Sequence, residues 1–145
     1  MAEPQTVVPM VAYEDAAAAI EWLSRAFGFR EDPDERYMED GRVTHAELDV
    51  GDGSVIYVAN PTPDYVAPKR HREECEVAAR WSSVPWVVDG VSVEVADLDE
   101  HFARAESAGA TLLSQIEDNP FGRLYRAEDV EGHRWMFMQP KGANA

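Results

Sequence analysis

Gly41-Arg42-Val43-Thr44-His45-Ala46-Glu47 has a near copy later in the chain, at Gly122-Arg123-Leu124-Tyr125-Arg126-Ala127-Glu128. The two stretches share Gly, Arg, Ala and Glu at the same four positions. They are 122 − 41 = 81 residues apart in a chain of 145. A separation of a little over half the chain indicates an internal duplication.

Landmarks on both sides of the two stretches keep the same order and spacing. Before each copy, an Asp that can cap a helix is followed five positions later by a large apolar residue; after each copy, a Gly precedes an apolar run. They are Asp15 with Ile20 and Gly53 with residues 54–58 in the first half, and Asp97 with Phe102 and Gly132 with residues 133–137 in the second. The pattern predicts an α+β fold made of two tandem strand–helix–strand–strand–strand (βαβββ) modules.

The predicted modules divide one domain, residues 1–145. Module one covers residues 1–60, a connector covers 61–89, module two covers 90–140 and a tail covers 141–145. Each module alone is marginal in size, so we expect the two to share one core.

Hydrophobic period and turn residues predict the elements within each module. In module one they are a strand at 6–13, a helix at 16–27 between Asp15 and Gly28, a poorer strand at 29–39 that breaks near Pro33, and strands at 42–49 and 54–59. In module two they are a strand at 91–95, a helix between Asp97 and Gly109, and strands at 111–116, 123–128 and 133–139.

The composition is that of a globular protein with one unusual property, a net charge of −15. This charge repels phosphates and argues against nucleic-acid binding; it favours cationic ligands near a cleft, or it only aids solubility. The single cysteine, Cys75, excludes an intramolecular disulfide and a cysteine-built zinc site. No apolar run is long enough to cross a membrane and the acidic start is not a signal peptide, which predicts a cytoplasmic protein.

Three prolines (Pro61, Pro63 and Pro68) open the connector, and a basic cluster at 69–72 and a predicted short helix at 73–80 follow. It also carries Trp81 and Trp86, and large aromatic side chains are usually buried. Two interpretations follow. The tryptophans pack on the core or on a subunit interface, or the connector forms a lid over a binding cleft.

Several short motifs occur in one order along the chain. They are residues 13–15, 19–23 and 26–29, His45-Ala46-Glu47-Leu48, residues 97–102 and 108–110, and Glu131-Gly132-His133-Arg134-Trp135. This series resembles the vicinal oxygen chelate superfamily, which includes glyoxalase I, extradiol dioxygenases, fosfomycin resistance proteins and bleomycin-binding proteins. The last motif is similar to the glyoxalase-like and PhnB-like branches, with Val130 where those have Pro. The resemblance implies that the modules curl their sheets into two halves of a shared cleft, with the helices outside.

In metal-using members of that superfamily, inward-facing His or Glu residues on the first and fourth strands of each module hold the ion. The resemblance places these positions at or near Val8, Tyr57, Gly90 and Met136, and none of them is a His or a carboxylate. A divalent site needs several convergent N or O ligands. We therefore expect no metal site and no cofactor.

At these positions, Tyr57 and Met136 would present an aromatic ring and a thioether to the cleft, which suits a flat or apolar ligand. Ordinary core filling is the alternative, because pockets and cores are both mostly apolar. Trp86 in the connector and Phe121 in the turn before the second copy are two further aromatic candidates for ligand binding.

His45 and Glu47 lie two apart on a predicted strand and so share a face, and Arg126 and Glu128 are their echoes in module two. The four could line the cleft and hydrogen-bond a ligand, or form structural ion pairs on a solvent-facing surface. His45 is the best candidate for a general base. Of the remaining three histidines, His133 is interpreted as part of a turn, and His71 and His101 are interpreted as surface residues.

These observations predict a metal-independent protein that binds a small organic molecule, such as a cationic aromatic antibiotic, in a cleft between its modules. The resemblance to bleomycin-binding proteins implies sequestration without chemistry, and a homodimer, since the family usually pairs. The rival interpretation is a metal-dependent enzyme, either a glyoxalase-like lyase or isomerase or an extradiol-type dioxygenase. A third is a regulatory or scaffold protein whose cleft has collapsed.

Overall fold

A computed structural model of the chain describes residues 5–86 and 89–142. The acidic start of the sequence and the last three residues of the predicted tail lie outside the described residues. The elements of module one are β1 (Met10–Ala12), α1 (Ala16–Phe27), β2 (Arg30–Glu31), a 3-10 turn (Pro33–Glu35), β3 (Tyr37–Glu39), β4 (Arg42–Gly51) and β5 (Ser54–Ala59). The connector contains α2 (Pro68–Glu74) and α3 (Glu76–Ser82). The elements of module two are β6 (Gly90–Glu94), α4 (Leu98–Ser107), β7 (Thr111–Leu112), β8 (Glu117–Asn119), β9 (Gly122–Glu128) and β10 (Arg134–Pro140).

The strands form two sheets of the same topology. Sheet one has the order β1-β5-β4-β2, with β3 also paired to β4, and sheet two has the order β6-β10-β9-β7, with β8 also paired to β9. In each sheet the first strand of the module runs parallel to the last, and the other pairs are antiparallel. This repeated arrangement confirms the predicted α+β fold of two tandem βαβββ modules.

Capping residues fix the ends of the two long helices as the sequence predicts. At the start of α1, the Asp15 side chain accepts a hydrogen bond from the Ala18 N–H (3.1 Å), and Gly28, at φ 76°, follows its last residue. At the start of α4, Asp97 accepts from the Glu100 N–H (3.1 Å) in the same way. Such side chains satisfy amides that the first helical turn leaves without partners.

Four elements differ from the prediction. The first strand is β1 alone rather than 6–13, and the strand at 111–116 is reduced to β7. In addition, β8 was not predicted, and the connector holds two helices rather than one at 73–80. Pro9 accepts a hydrogen bond from the Tyr57 N–H but has no N–H to donate, so the ladder weakens before β1. Within residues 5–86 and 89–142, no helix is long and apolar enough to cross a membrane.

One core lies between the helices and one face of both sheets. Phe27, at the end of α1, reaches into module two, where its ring centroid is 4.7 Å from that of Phe137 and 5.8 Å from that of Trp135. The Phe29 ring is 5.3 Å from Trp135. All four side chains are buried, so the two modules share their apolar surface, as chains of this size require.

His101 belongs to this core, so its interpretation as a surface residue is wrong. Its Nδ1 lies 2.6 Å from the Tyr125 hydroxyl and its Nε2 lies 3.2 Å from the Phe27 carbonyl oxygen. Burial lowers the pKa of His101 from 6.5 to about 4, because a poorly solvated imidazolium is disfavoured. The available signal was helical period: His101 lies between the buried Leu98 and Ala105 on one face of α4.

Polar contacts in the β9–β10 turn also join the modules. The buried Asp129 accepts a hydrogen bond from the Tyr13 hydroxyl (2.5 Å). Glu131 accepts the two backbone N–H groups just before α1, at 2.6 and 2.9 Å. His133 Nε2 lies 2.5 Å from the Ala12 carbonyl oxygen, which confirms the structural interpretation of this histidine.

Candidate ligand-binding site

Each sheet has one face on the core and one open face. Along β5 and β10, Ile56 and Phe137 are buried against the core, whereas Tyr57 and Met136 are partly exposed. Successive side chains of a strand point to opposite faces. Tyr57 and Met136 therefore lie on the open faces, outside the core cluster.

On sheet one, the structure brings His45, Glu47 and Tyr57 together. His45 Nε2 lies 2.8 Å from Glu47 Oε2, and the His45 ring centroid lies 4.8 Å from that of Tyr57. Glu47 is opposite Tyr57 in the β4–β5 pairing, and Tyr37 flanks His45 with a ring separation of 5.8 Å. An imidazole held by a carboxylate can act as a general base, and here it lies beside an aromatic ring.

On sheet two, the structure brings Met136, Arg126 and Trp86 together. Arg126 is opposite Met136 in the β9–β10 pairing, and its guanidinium carbon is 5.8 Å from the centroid of the Trp86 ring. Its Nη1 also lies 3.6 Å from Glu117. Trp86 is 70% exposed and Trp81 is 57% exposed, so neither is buried within the single chain. Trp86 therefore covers part of the open face while remaining accessible.

Glu128 and Phe121 lie apart from these two groups. Glu128 is 2% exposed, and its carboxylate forms ion pairs with Arg72 of α2 and Arg134 of β10. Phe121 lies in the turn between β8 and β9, at the opposite end of β9, and is 56% exposed. The structure thus places Glu128 beneath the connector and Phe121 at a hairpin tip.

The alignment of the two modules by strand pairing differs from their alignment by the repeated sequence. Glu47 pairs with Tyr57 and Arg126 pairs with Met136, so Glu47, rather than His45, is the counterpart of Arg126. The spatial offset is 126 − 47 = 79 residues rather than 81. A bulge in β4 contributes to this difference: the β3–β4 register shifts there, and His45 and the residue before it are both partly exposed. A bulge adds one residue to one strand.

A cavity of about 390 Å³ lies between the modules. The edge strands β1 and β6 border it on two sides and the connector on a third; its wall includes Met10, Gly90, Arg72 and Arg134. Met10 is 81% exposed and is opposite Tyr57 in the β1–β5 pairing. This methionine therefore links the cavity to the open face of sheet one.

Met10 is the site residue that sequence reasoning missed. It pairs with Tyr57 and lies two residues beyond Val8, while Ser92 pairs with Met136 in module two. The proline that precedes Met10 was the available signal. A strand that begins after this proline puts the methionine at its first open-face position.

The side chains at these positions do not form a metal centre. In the described parts of the chain, 5–86 and 89–142, no group of three or more His, Cys, Asp or Glu side chains could hold an ion. His45 and Glu47 supply only two donors, whereas a structural or catalytic ion takes three or more protein ligands. The residues present therefore do not suit the ion used by metal-dependent proteins of the superfamily that the sequence resembles.

Comparison with known proteins gives a consistent result. The model of the Glyoxalase/Bleomycin resistance protein/Dioxygenase superfamily matches residues 6–137. The structure of TioX from Micromonospora sp. ML1 is similar, with a TM-score of 0.67 and 34% identity over 93% of this chain and 95% of that chain. TnmS3, an antibiotic binding protein from Streptomyces sp. CB03234, has a TM-score of 0.65 and 18% identity over 97% and 99% of the two chains. An uncharacterized protein of Mycobacterium bovis, Mb0911c, is 30% identical over 137 residues, which are 91% of this chain and 81% of that protein.

Proposed function

Since the chain belongs to the Glyoxalase/Bleomycin resistance protein/Dioxygenase superfamily, we propose that it binds a small organic ligand, without a metal ion, at the junction of its two modules. One observation carries this proposal. Tyr57 and Met136, with Met10 beside Tyr57, turn an aromatic ring and two thioethers away from the core and toward open sheet faces. Such side chains bind flat or apolar ligands.

The size of the inter-module cavity supports a ligand of drug size. Ligand pockets typically measure about 300–1,000 Å³ and are mostly apolar with a few polar groups. The cavity, at about 390 Å³, lies within this range. Met10 lines it, and the hydrogen-bonded pair of His45 and Glu47 lies beyond Tyr57 on the same sheet face.

Charge favours a cationic ligand. The chain carries a net charge of −15, which raises the local concentration of cations around it. Within the site, Tyr57 offers a π face, and a cation over such a ring gains about 0.5–2 kcal/mol. The antibiotic-binding protein TnmS3 has the same fold. An antibiotic is also the ligand class that we propose for this chain, and the charge of the chain favours a cationic one.

The proposal includes three further expectations. From the resemblance of the Glu131-Gly132-His133-Arg134-Trp135 motif, we expect the chain to belong to a glyoxalase-like or PhnB-like branch. The protein works as a homodimer in the cytoplasm. Phe121, exposed at its hairpin tip, is kept as an additional aromatic contact for the ligand.

The experiment combines elemental analysis with a thermal-shift screen. Protein purified without chelators is analysed for Zn, Ni, Mn and Fe and then screened against cationic aromatic antibiotics, including bleomycin. We expect far less than one metal ion per chain and a rise in Tm with at least one antibiotic, since binding to the native state alone stabilises it. A stoichiometric metal, or no shift with any compound, would contradict the proposal.

Substitutions then locate the site. Tyr57→Ala and Met136→Ala should each raise the Kd of the antibiotic with the largest shift by about ten-fold, which corresponds to about 1.4 kcal/mol. Their Tm should change little, because both side chains lie outside the core cluster. Met38→Ala is the matched control, an exposed methionine on β3 that should alter neither quantity. Unfolding of both site variants would show that the side chains are structural.

The His45–Glu47 pair favours a second candidate function, an enzyme. A half-buried imidazole 2.8 Å from a carboxylate is suited to moving a proton. The expected activities are those of a glyoxalase-like lyase or isomerase or of an extradiol-type dioxygenase. Turnover, with or without an added metal ion, that is abolished by His45→Gln would favour this candidate over sequestration.

A further inference from the structure

Polar contacts to both modules hold the connector. In module one, the Glu14 carboxylate accepts the Ala67 N–H at 2.9 Å and pairs with Arg70. Neither α2 nor α3 contains a buried residue, so apolar packing does not hold these helices in place. Their anchors include the hydrogen bond from the Lys69 N–H to the Glu131 carbonyl oxygen (3.0 Å) and the ion pair between Arg72 and Glu128. A segment with few buried apolar contacts opens easily, so its position depends on these polar anchors.

Glu128 is the centre of the contacts that the connector makes with β9 and β10. It accepts hydrogen bonds from Nη1 and Nη2 of Arg72, at 2.5 and 2.9 Å, and from Nε of Arg134 at 3.0 Å. Only 2% of its surface is exposed. A buried carboxylate stays charged only where opposite charges and hydrogen bonds replace its water. The two guanidiniums supply both, so this acid is already satisfied within the chain.

Arg134, which is bound to Glu128, also hydrogen-bonds the C-terminal end of the connector helices. Its Nη1 donates to the Val84 carbonyl oxygen and its Nη2 to the Ser82 carbonyl oxygen, both at 2.6 Å. These carbonyls lie at the end of α3, and Trp86 follows two residues later, over Arg126. One carboxylate therefore orients two guanidiniums, of which one fixes α2 and the other fixes the end of α3.

We propose that Glu128 is a positioning residue, which acts through Arg72 and Arg134 to hold the connector across sheet two and to set Trp86 against Arg126. This inference rests on the proposed function, because it makes Glu128 a residue that shapes the ligand site. The sequence predicted that Glu128 contacts the ligand directly, and we now infer an indirect role. The connector forms a wall of the ligand site, and Glu128 determines the position of this wall.

The test uses the whole chain labelled with 5-fluorotryptophan, which gives one 19F NMR signal for each of the four tryptophans. In Glu128→Gln, the signals of Trp86 and Trp81 should shift and narrow, and amide hydrogen exchange in α2 and α3 should accelerate by about ten-fold. The signal of the buried Trp22 should not move. A purely structural role would instead disturb all four signals and lower protection throughout the chain.

Asp99→Asn is the matched acid-to-amide control. Asp99 pairs with Arg123 of β9 at 3.0 Å, on an exposed surface, so this variant should leave exchange in α2 and α3 unchanged. If Glu128→Gln does not fold, Arg72→Gln makes the same test from the more accessible side, since Arg72 is 25% exposed. Unchanged Trp86 signals and unchanged exchange in whichever variant folds would refute the inference. No ligand is needed, so a failed antibiotic screen counts against the proposed function alone.

Discussion

The His101 imidazole packs against aromatic rings of both modules, with its centroid 4.1 Å from that of Phe137 and 5.9 Å from that of Phe27. This burial lowers its pKa from 6.5 to about 4. Between these two values the unfolded chain binds a proton that the folded chain does not. The stabilisation is therefore complete above about pH 6.5, the pKa of an unperturbed histidine, and is lost as the pH falls toward 4.

Between pH 7 and pH 4, we expect the unfolding free energy of the native chain to fall by about 2 kcal/mol more than that of His101→Gln. The variant has no titrating group at position 101. The difference between 6.5 and about 4 corresponds to at most about 3 kcal/mol, and the ring is not fully enclosed. Urea unfolding at a series of pH values measures this quantity. His71→Gln removes an exposed imidazole and should keep the native slope. Equal slopes for the native chain and His101→Gln would contradict the assignment.

At the site, contacts between residues close in the sequence were easier to predict than contacts between distant residues. His45, Glu47 and Tyr57 come together because a strand has a period of two and its neighbour is joined by a short turn. The pairing of Glu128 with Arg72, 56 residues away, depends on where the connector folds back. A local sequence pattern does not show which distant residues come together. The ion pair with Arg72 was therefore missed, and the sequence suggested a ligand contact at Glu128 instead.

At the scale of elements, the β9–β10 turn and the equivalent β4–β5 turn differ in what surrounds their glycines. Gly132 has φ +92°, and an added Cβ would lie 2.7 Å from Lys69 N, at the start of α2. Gly53 has φ +81°, and an added Cβ would meet nothing within 4 Å. Both substitutions impose left-handed strain of about 1–2 kcal/mol, but only Gly132→Ala also pushes against backbone.

Gly132→Ala should therefore destabilise the chain by at least about 1 kcal/mol more than Gly53→Ala, because backbone cannot yield as a flexible side chain does. Urea unfolding of the two variants gives the comparison. Hydrogen exchange in α2 should also increase in Gly132→Ala alone. Equal losses of stability would show that the turn and the connector do not press on each other.

Elements with local signals were predicted well. The bounds of α1 follow from the Asp15 cap, the buried stripe that includes Ile20 and Leu23, and Gly28 at positive φ. Strands depend on a partner elsewhere in the chain, so their ends are less certain. The sequence at 6–13 has strand propensity throughout, but only Met10–Ala12 pairs with β5.

For the whole molecule, the core predicts that the two modules unfold as one unit. The Phe27 ring of module one packs on Phe137 and Trp135 of module two, and α1 packs on α4. The Trp22 indole N–H also donates to the Ala108 carbonyl oxygen at 3.1 Å. If one sheet separated from the core, the covered face of the other sheet would become exposed to solvent. From this coupling we expect the duplicated sequence of 145 residues to unfold as one domain rather than two.

We expect a single calorimetric transition whose van't Hoff and calorimetric enthalpies agree, both in the native chain and in Phe27→Ala. Removing this buried ring should cost about 3–5 kcal/mol, and the whole transition should move to lower temperature, because the cavity opens between the modules. Phe121→Ala is the matched control: this ring is 56% exposed at a hairpin tip, so its Tm should stay within a few degrees of the native value. Two transitions, of which Phe27→Ala shifts only one, would mean that each module carries its own core and that the junction is a surface contact.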